Sequence, residues 1–425
     1  LQHFDESNDV ADHCTVCHRC VKPCPVDIDF GDVSVAMRNF LRKQGKKKLD
    51  PGKAATMWFL TMKDPATIKL ARTMMIGWGY KLQRLGVKLA KTFGLTQGIV
   101  QHPPATLGRP SVKAQVIHFI NKPMPGNLPK RTSRALLDIE DDHVVPVIRD
   151  PQKATEDSDA VFYFPGCGSE RLFSQVGLAT QAMLYETGAV TVLPPGYLCC
   201  GYPQNAAGEE DKGQKIITDN RVLFHRVATT LNYLDIKTVI VSCGTCMDQL
   251  QKYEFDKIFP GCRLLDIHEY LLEKGVKLDG VQGVRYLYHD PCHTPMKTMP
   301  GIKVANALMG QRVDLSDRCC GEAGTLAMGR PDVATQVRFR KQEEIENGVA
   351  RLRAADAGDG APFAGEVKVL TSCPSCLQGL SRFNDDAGTQ ADYIVVEMAR
   401  HLLGGNWLAE YVAKANAGGI ERVLL

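Results

Sequence analysis

Cys199-Cys200-Gly201 and Cys319-Cys320-Gly321 are one signature written twice, and the surrounding cysteines repeat with it. Cys167 precedes the first pair, and Cys243 and Cys246 follow it; Cys292 precedes the second, and Cys373 and Cys376 follow. Each set therefore runs Cys … Cys-Cys-Gly … Cys-x-x-Cys. The same five cysteines in the same order in two places mark an internal duplication.

Runs rich in β-branched and aromatic residues predict short strands at 160–164, 190–193 and 238–241 in the first copy, and at 285–288 and 366–370 in the second. Helical spacing predicts helices at 171–187, 209–231, 302–309 and 331–347. Each lone cysteine and each Cys-x-x-Cys then falls just past a strand's C-terminal end. Each Cys-Cys-Gly falls in a loop ahead of a helix. In open α/β sheets ligands bind at the carboxyl ends of strands, so all five thiols of a copy are expected on one rim. The predicted fold class is α/β. A duplicated α/β domain, its halves facing each other across a pseudo-two-fold axis, follows an α-helical ferredoxin-like domain.

Thiolates are soft ligands for iron–sulfur clusters, zinc or Cu(I). Four suffice for zinc or one cubane. Five, two of them adjacent, suit metals of a more extended cluster, and the glycine after each pair lets backbone approach closely.

Near the start, Cys14-Thr-Val-Cys17-His-Arg-Cys20-Val-Lys-Pro-Cys24-Pro25 has the Cys-x2-Cys-x2-Cys-x3-Cys-Pro spacing of a bacterial ferredoxin run for a [4Fe–4S] cubane cluster. Cys24 either closes that cluster or serves a second one, whose own run would precede Leu1; the Leu1 start favours the second alternative. His18, inside the run, is expected to face solvent without ligating. A helix over 30–40 should place Val33, Met37, Phe40 and Leu41 on one face. Lys46-Lys47-Lys48 follows as a basic loop, either solvated or a docking patch.

Helices are predicted over 51–62 and 64–93, with Asp64-Pro65 as a start signal. Ile68, Ala71, Met75, Trp78 and Leu82 recur at helical spacing, which reads as a core stripe. The many Lys and Arg of the same stretch also fit a helix lying on a membrane surface. The Pro-, Gly- and Asn-rich stretch 102–129 predicts an extended connector, and the acidic cluster 138–142 a solvated loop. The expected domains are residues 1–95 (ferredoxin-like), 96–158 (connector), 159–283 (first repeat) and 284–425 (second repeat).

The bulk composition agrees with a folded, multi-domain chain. There are 425 residues, 44% hydrophobic and 23% charged, with a formal net charge of +3. This near-neutral balance argues against a nucleic-acid partner. Fifteen cysteines without a leading signal sequence point to thiols in a reducing compartment rather than to disulfides. A cytoplasmic location is expected, at the membrane's inner face if the protein docks there.

The two arrays resemble the cysteine-rich CCG domain of the heterodisulfide reductase B subunit family, which includes the iron–sulfur subunits of glycolate, lactate and glycerol-3-phosphate oxidation. The ferredoxin run and the helices after it, with Asp64-Pro-Ala-Thr-Ile-Lys-Leu-Ala-Arg72, are most similar to the C-terminal iron–sulfur part of bacterial FAD-linked 2-hydroxy acid oxidase fusions. The resemblance implies noncubane [4Fe–4S] clusters at both arrays, all ten ligand positions being cysteine. It also implies FAD in an upstream domain or partner, since no flavin signature occurs in this chain. Gly321-Glu-Ala-Gly324 reads as a cluster loop rather than a nucleotide site.

Outside the ligands, His289 and His293 flank Cys292 and are candidates to hydrogen-bond a cluster or carry a proton. Glu322 is a third candidate. Asp290 is expected to cap a helix, and Cys262 to be a buried spare thiol. Three functions compete. The first is electron transfer from an upstream flavin, in a D-lactate- or glycolate-type dehydrogenase, through these clusters to a quinone or other acceptor. The second is disulfide reduction at the paired noncubane clusters. The third is a zinc-binding scaffold.

Overall fold

In a computed structural model, residues 3–103, 107–126, 128–322, 325–354 and 362–425 are described. Ala323 and Gly324 of the expected cluster loop, and parts of the expected connector, lie outside them, as does Leu1.

Ten strands build two sheets: β1 (Val144–Ile148), β2 (Ala160–Phe164), β3 (Val190–Val192), β4 (Ile236–Val241), β5 (Arg263–Asp266), β6 (Val284–His289), β7 (Val313–Leu315), β8 (Glu366–Thr371), β9 (Gln390–Tyr393) and β10 (Ile420–Leu424). The first sheet runs β10-β1-β3-β2-β4-β5 and the second β7-β6-β8-β9. The blocks β3-β2-β4-β5 and β7-β6-β8-β9 are parallel throughout and match strand for strand. This is the expected duplication.

Parallel strands are covered on both faces and need continuous apolar runs. Val161 to Phe164, Val239 to Val241 and Tyr286 to Tyr288 are all buried. The two halves interlock by exchange. The helix Ser174–Glu186, which follows β2, packs on Ile394–Leu403, which follows β9; Gly301–Met309, which follows β6, packs on Ile267–Glu273, which follows β5. One buried cluster accordingly draws Leu184, Tyr270, Leu308 and Met398 from both copies.

Part of the expected connector is instead integral to the fold. β1 pairs antiparallel with β3 and with β10, so residues 144–148 and the chain's last strand flank the first sheet. The stretch 102–129 is not wholly extended, because Ser111 caps a helix over Val112–Phe119. That helix rests on Pro331–Ala354, where Gln115 donates to Asp332 at 2.9 Å.

The first hundred residues are helical: Phe4–His13, Phe30–Lys43, Pro51–Thr61 and a run from Pro65 to Thr92 with a π-helical stretch at Thr73–Gly79. Asp29, Asp50 and Asp64 cap three of these starts, the last two ahead of proline. The expected core stripe is only partly core. Ile68 and Ala71 are buried, whereas Trp78 and Leu82 are 69% and 66% exposed. Of the face expected over 30–40, Leu41 is buried but Val33 is exposed. Lys47 is not a free basic patch either: its ammonium bonds Asp12 at 3.0 Å, beside Lys53 and Arg109 on the same buried carboxylate. No helix among the described residues is long and apolar enough to cross a membrane.

Candidate metal centre

The strand ends place the thiols as the repeat requires. β4 stops at Val241, and Cys243 then stands in extended backbone at the start of the helix Gly244–Leu250, with Cys246 in its first turn. β8, Cys373 and the helix Pro374–Ser381 repeat this arrangement with Cys376. A helix start favours negative charge, which suits a thiolate.

All fifteen cysteines are free. Cys246 and Cys200 lie 3.5 Å apart and Cys320 and Cys376 3.6 Å apart, Sγ to Sγ. A disulfide needs about 2.05 Å, whereas two thiolates on one tetrahedral metal at ~2.3 Å lie about 3.8 Å apart. The contacts continue from Cys167 through Cys199 to Cys200, and from Cys246 to Cys243. Cys243 then meets Cys373 of the other copy, which meets Cys376. The two arrays are therefore contiguous across the pseudo-two-fold axis.

Burial and crowding split the thiol acidities. Cys243 and Cys320 are held well below the usual thiol range, chiefly by hydrogen bonds from Cys246 and Cys319. Cys200 is lowered to about 6 by Cys199 and Cys246. Burial pushes Cys292 up to about 12.

The residues fit an iron–sulfur group. They offer ten thiols whose neighbours are mostly one another, beside a cavity of about 1210 Å³ that also reaches Cys14. Backbone space is kept open for them. A Cβ on Gly166 (φ +71°) would come 2.7 Å from Cys246 Sγ, and one on Gly244 would come 1.5 Å from the His293 carbonyl oxygen.

The N-terminal run docks on this junction. Its four cysteines are half-buried, and backbone N–H groups of Val16, Phe30 and Ile28 donate to the sulfurs of Cys14, Cys20 and Cys24 at 3.2–3.3 Å. Val16 and His18 adopt φ of +54° and +57°, a left-handed conformation costly for a β-branched residue. Arg19 crosses to the second copy, donating to the Asp317 carboxylate at 3.0 Å and to the Asp290 carbonyl at 3.3 Å. Cys292 is near enough to Cys17 for each to feel the other's charge.

The non-cysteine candidates separate. His293 is buried and joins three elements. Its Nδ1 faces Asp248 Oδ2 at 2.5 Å, and its Nε2 lies 2.7 Å from the Val16 carbonyl oxygen and 2.8 Å from the Tyr202 hydroxyl. His289 is fully buried within 4.8 Å of the Cys320 and Cys376 sulfurs, and burial lowers its pKa. Glu322 is engaged rather than free, pairing with Arg338 at 3.2 Å and accepting from Gln378 at 2.5 Å. Asp290 caps no helix and instead accepts from the Tyr288 hydroxyl at 3.2 Å. Cys262 is half-buried, away from both arrays, with burial raising its pKa to about 11.

Two residues went unmarked in the sequence. His18, expected to face solvent, holds Asp29 at 2.5 Å and stacks edge-on against His293 at 5.4 Å. Tyr202 sits one residue past the first Cys-Cys-Gly. Its place there was the one available signal.

Comparison with known proteins agrees with this geometry. Residues 161–251 and 286–381 match the model of the cysteine-rich domain CCG. The chain carries two CCG domains. Residues 381–425, which supply β9 and β10, match a domain of unknown function, DUF3400. An iron–sulfur relative in Methanothermobacter marburgensis, one of the subunits of its CoM/CoB fumarate reductase, is 28% identical over 50% of this chain and 40% of its own length. A probable glycolate oxidase iron–sulfur subunit of Bacillus subtilis is 23% identical over 57% of this chain and 54% of its own. In Methanosarcina mazei, one of the subunits of the dihydromethanophenazine:CoB–CoM heterodisulfide reductase is 24% identical over 60% of this chain and 61% of its own. The chain spans half or less of the length of several curated relatives it matches.

Proposed function

We propose that this chain is the iron–sulfur electron-transfer portion of an FAD-linked 2-hydroxy acid dehydrogenase of the D-lactate or glycolate type, an oxidoreductase whose flavin lies in another domain or partner. The carrying observation is continuity. The N-terminal run, Cys292 and both CCG arrays form one uninterrupted series of thiols. Cys14, Cys17, Cys20 and Cys24 would hold a [4Fe–4S] cubane, as in a ferredoxin-like domain. Cys167, Cys199, Cys200, Cys243 and Cys246 would hold one noncubane [4Fe–4S] cluster, and Cys292, Cys319, Cys320, Cys373 and Cys376 a second. Such clusters supply one-electron uptake and release, tuned by hydrogen bonds to sulfur and by solvent exposure.

The protein's own part is to bury the thiols, aim backbone N–H groups at the N-terminal ones, and hold the run against the arrays through Arg19 and His293. His289 is assigned to hydrogen-bond the Cys320 sulfur. Glu322 is assigned to position its loop by balancing Arg338. Electrons would leave to a quinone or another acceptor.

Anaerobically purified protein should contain about 12 iron atoms, three four-iron clusters' worth, with matching acid-labile sulfide. Zinc with four irons or fewer would reject the redox reading of the arrays. Coexpressed with its flavin domain and given D-lactate or glycolate, the protein should show cluster reduction; clusters that stay oxidised beside a reduced flavin would reject the dehydrogenase reading.

A second reading, disulfide reduction at the paired arrays, is favoured by the cavity that both arrays border and by the heterodisulfide reductase relative. Disulfide reduction by reduced viologen at a rate no greater than without protein would exclude it.

A further inference from the structure

The helical run from Pro65 to Thr92 has two unlike faces. The inner face is spent. Ile68, Ala71, Val87 and Ala90 are buried, Gln83 donates to the carbonyls of Phe119 and Lys122 at 3.1 and 2.9 Å, and the Tyr80 hydroxyl donates to Gln378 at 3.0 Å. On the outer face Trp78, Leu82, Leu85, Leu89 and Phe93 are all exposed, and Leu70 and Met74 extend the stripe toward the helix start. At 1.5 Å per residue it runs about 35 Å. So long an unbroken apolar stripe on a surface helix marks an interaction site.

Charge identifies the occupant. Between residues 63 and 93 the only acid is Asp64, and it is committed to capping the helix, accepting from Thr67 at 2.7 Å. Lys63, Lys69, Lys81 and Lys88 are exposed, with no ion-pair partner among the described residues. An apolar ridge carrying Trp and Phe, bordered by unpaired lysines, complements a layer that is anionic outside and hydrocarbon inside.

We infer that this helix docks the protein, lying flat, on an anionic lipid bilayer. Met75, Ile76 and Tyr80 of the same run border the cavity next to the arrays. Docking would therefore leave roughly one helix width, about 10 Å, between that cavity and the lipid. That last step rests on the proposed redox function and would let a lipid-soluble acceptor approach; the docking itself does not depend on it.

The test is co-sedimentation of the full, cluster-loaded chain with vesicles. Phosphatidylcholine vesicles containing about 30% phosphatidylglycerol should bind at least tenfold more protein than phosphatidylcholine alone, and about 0.5 M salt should remove most of the difference by screening. Leu85→Glu with Leu89→Glu, and separately Lys81→Glu with Lys88→Glu, should each lower binding at least tenfold while circular dichroism and iron content stay unchanged. Equal binding to both vesicle types, or no binding to either, would overturn the inference. So would a self-association of the wild type, abolished by Leu85→Glu with Leu89→Glu, that occurs without vesicle binding; a second copy would then be the occupant. Lipid binding without cluster reduction by substrate would leave docking intact and reject only the redox reading.

Discussion

Asp12 shows how one side chain ties the N-terminal helices together. Burial works against its charge, but Lys53, Lys47 and their hydrogen bonds hold its carboxyl well below the usual carboxylate range. Asp12→Asn would leave those ammonium groups buried with their main counter-charge gone, at a cost of about 3 kcal/mol, measured by chemical denaturation at pH 7. The pH dependence has a definite sign. The unfolded carboxyl titrates near ~3.9 and the folded one lower, so the stabilisation is complete above about pH 5. It is lost as the pH falls below about 4 toward the folded value. The stability gap between wild type and Asp12→Asn should therefore be constant at neutral pH and narrow only in acid. Glu322 behaves alike. Glu322→Ala should destabilise by about 3 kcal/mol because Arg338 and Arg382 would remain buried without a counter-charge. A smaller loss, under about 1 kcal/mol, would show that those guanidinium groups find other acceptors.

The elements that matter most are the short ones at strand ends. Gly166 turns the chain out of β2 at φ +71°, with its missing Cβ next to Cys246. Gly166→Ala should empty the first array while sparing the second, so that iron per chain falls by about a third. A full complement of iron would contradict the expected crowding. β10 is the other test. It covers all of β1, whose five residues are buried. Truncation after Gly419 would turn β1 into an uncovered edge, and exposed apolar edges promote association. The truncated protein should melt lower and aggregate. Neither β1 nor β10 was legible beforehand, because a strand of five residues counts as one only when its ladder partner is known. The partner of β1 lies nearly three hundred residues away. β5, β7 and β9 were missed for the same reason: three or four residues carry too little periodicity.

At the scale of the whole molecule, the N-terminal run and the two repeats meet at His293. Its ring holds the Val16 carbonyl, the Tyr202 hydroxyl and the Asp248 carboxylate. His293→Ala should speed hydrogen exchange of residues 14–20 while β6 and β8 stay protected. Unchanged exchange there would mean that Arg19 alone holds the run in place.

Ligand chemistry and duplication were written in the sequence itself. Thiol ligation depends on residue type and local spacing, so the Cys-x2-Cys-x2-Cys-x3-Cys run and the repeated Cys-Cys-Gly could be recognised without a fold. Strand-end placement followed as well, since the apolar runs stop where the cysteines begin. Other features arose only from packing. The contact of Cys243 with Cys373, the engagement of Glu322 by Arg338 and the stacking of His18 on His293 each join residues that lie far apart or carry no pattern. Such contacts exist because the two halves bury their helices against each other, and only that burial decides which polar groups end up facing one another.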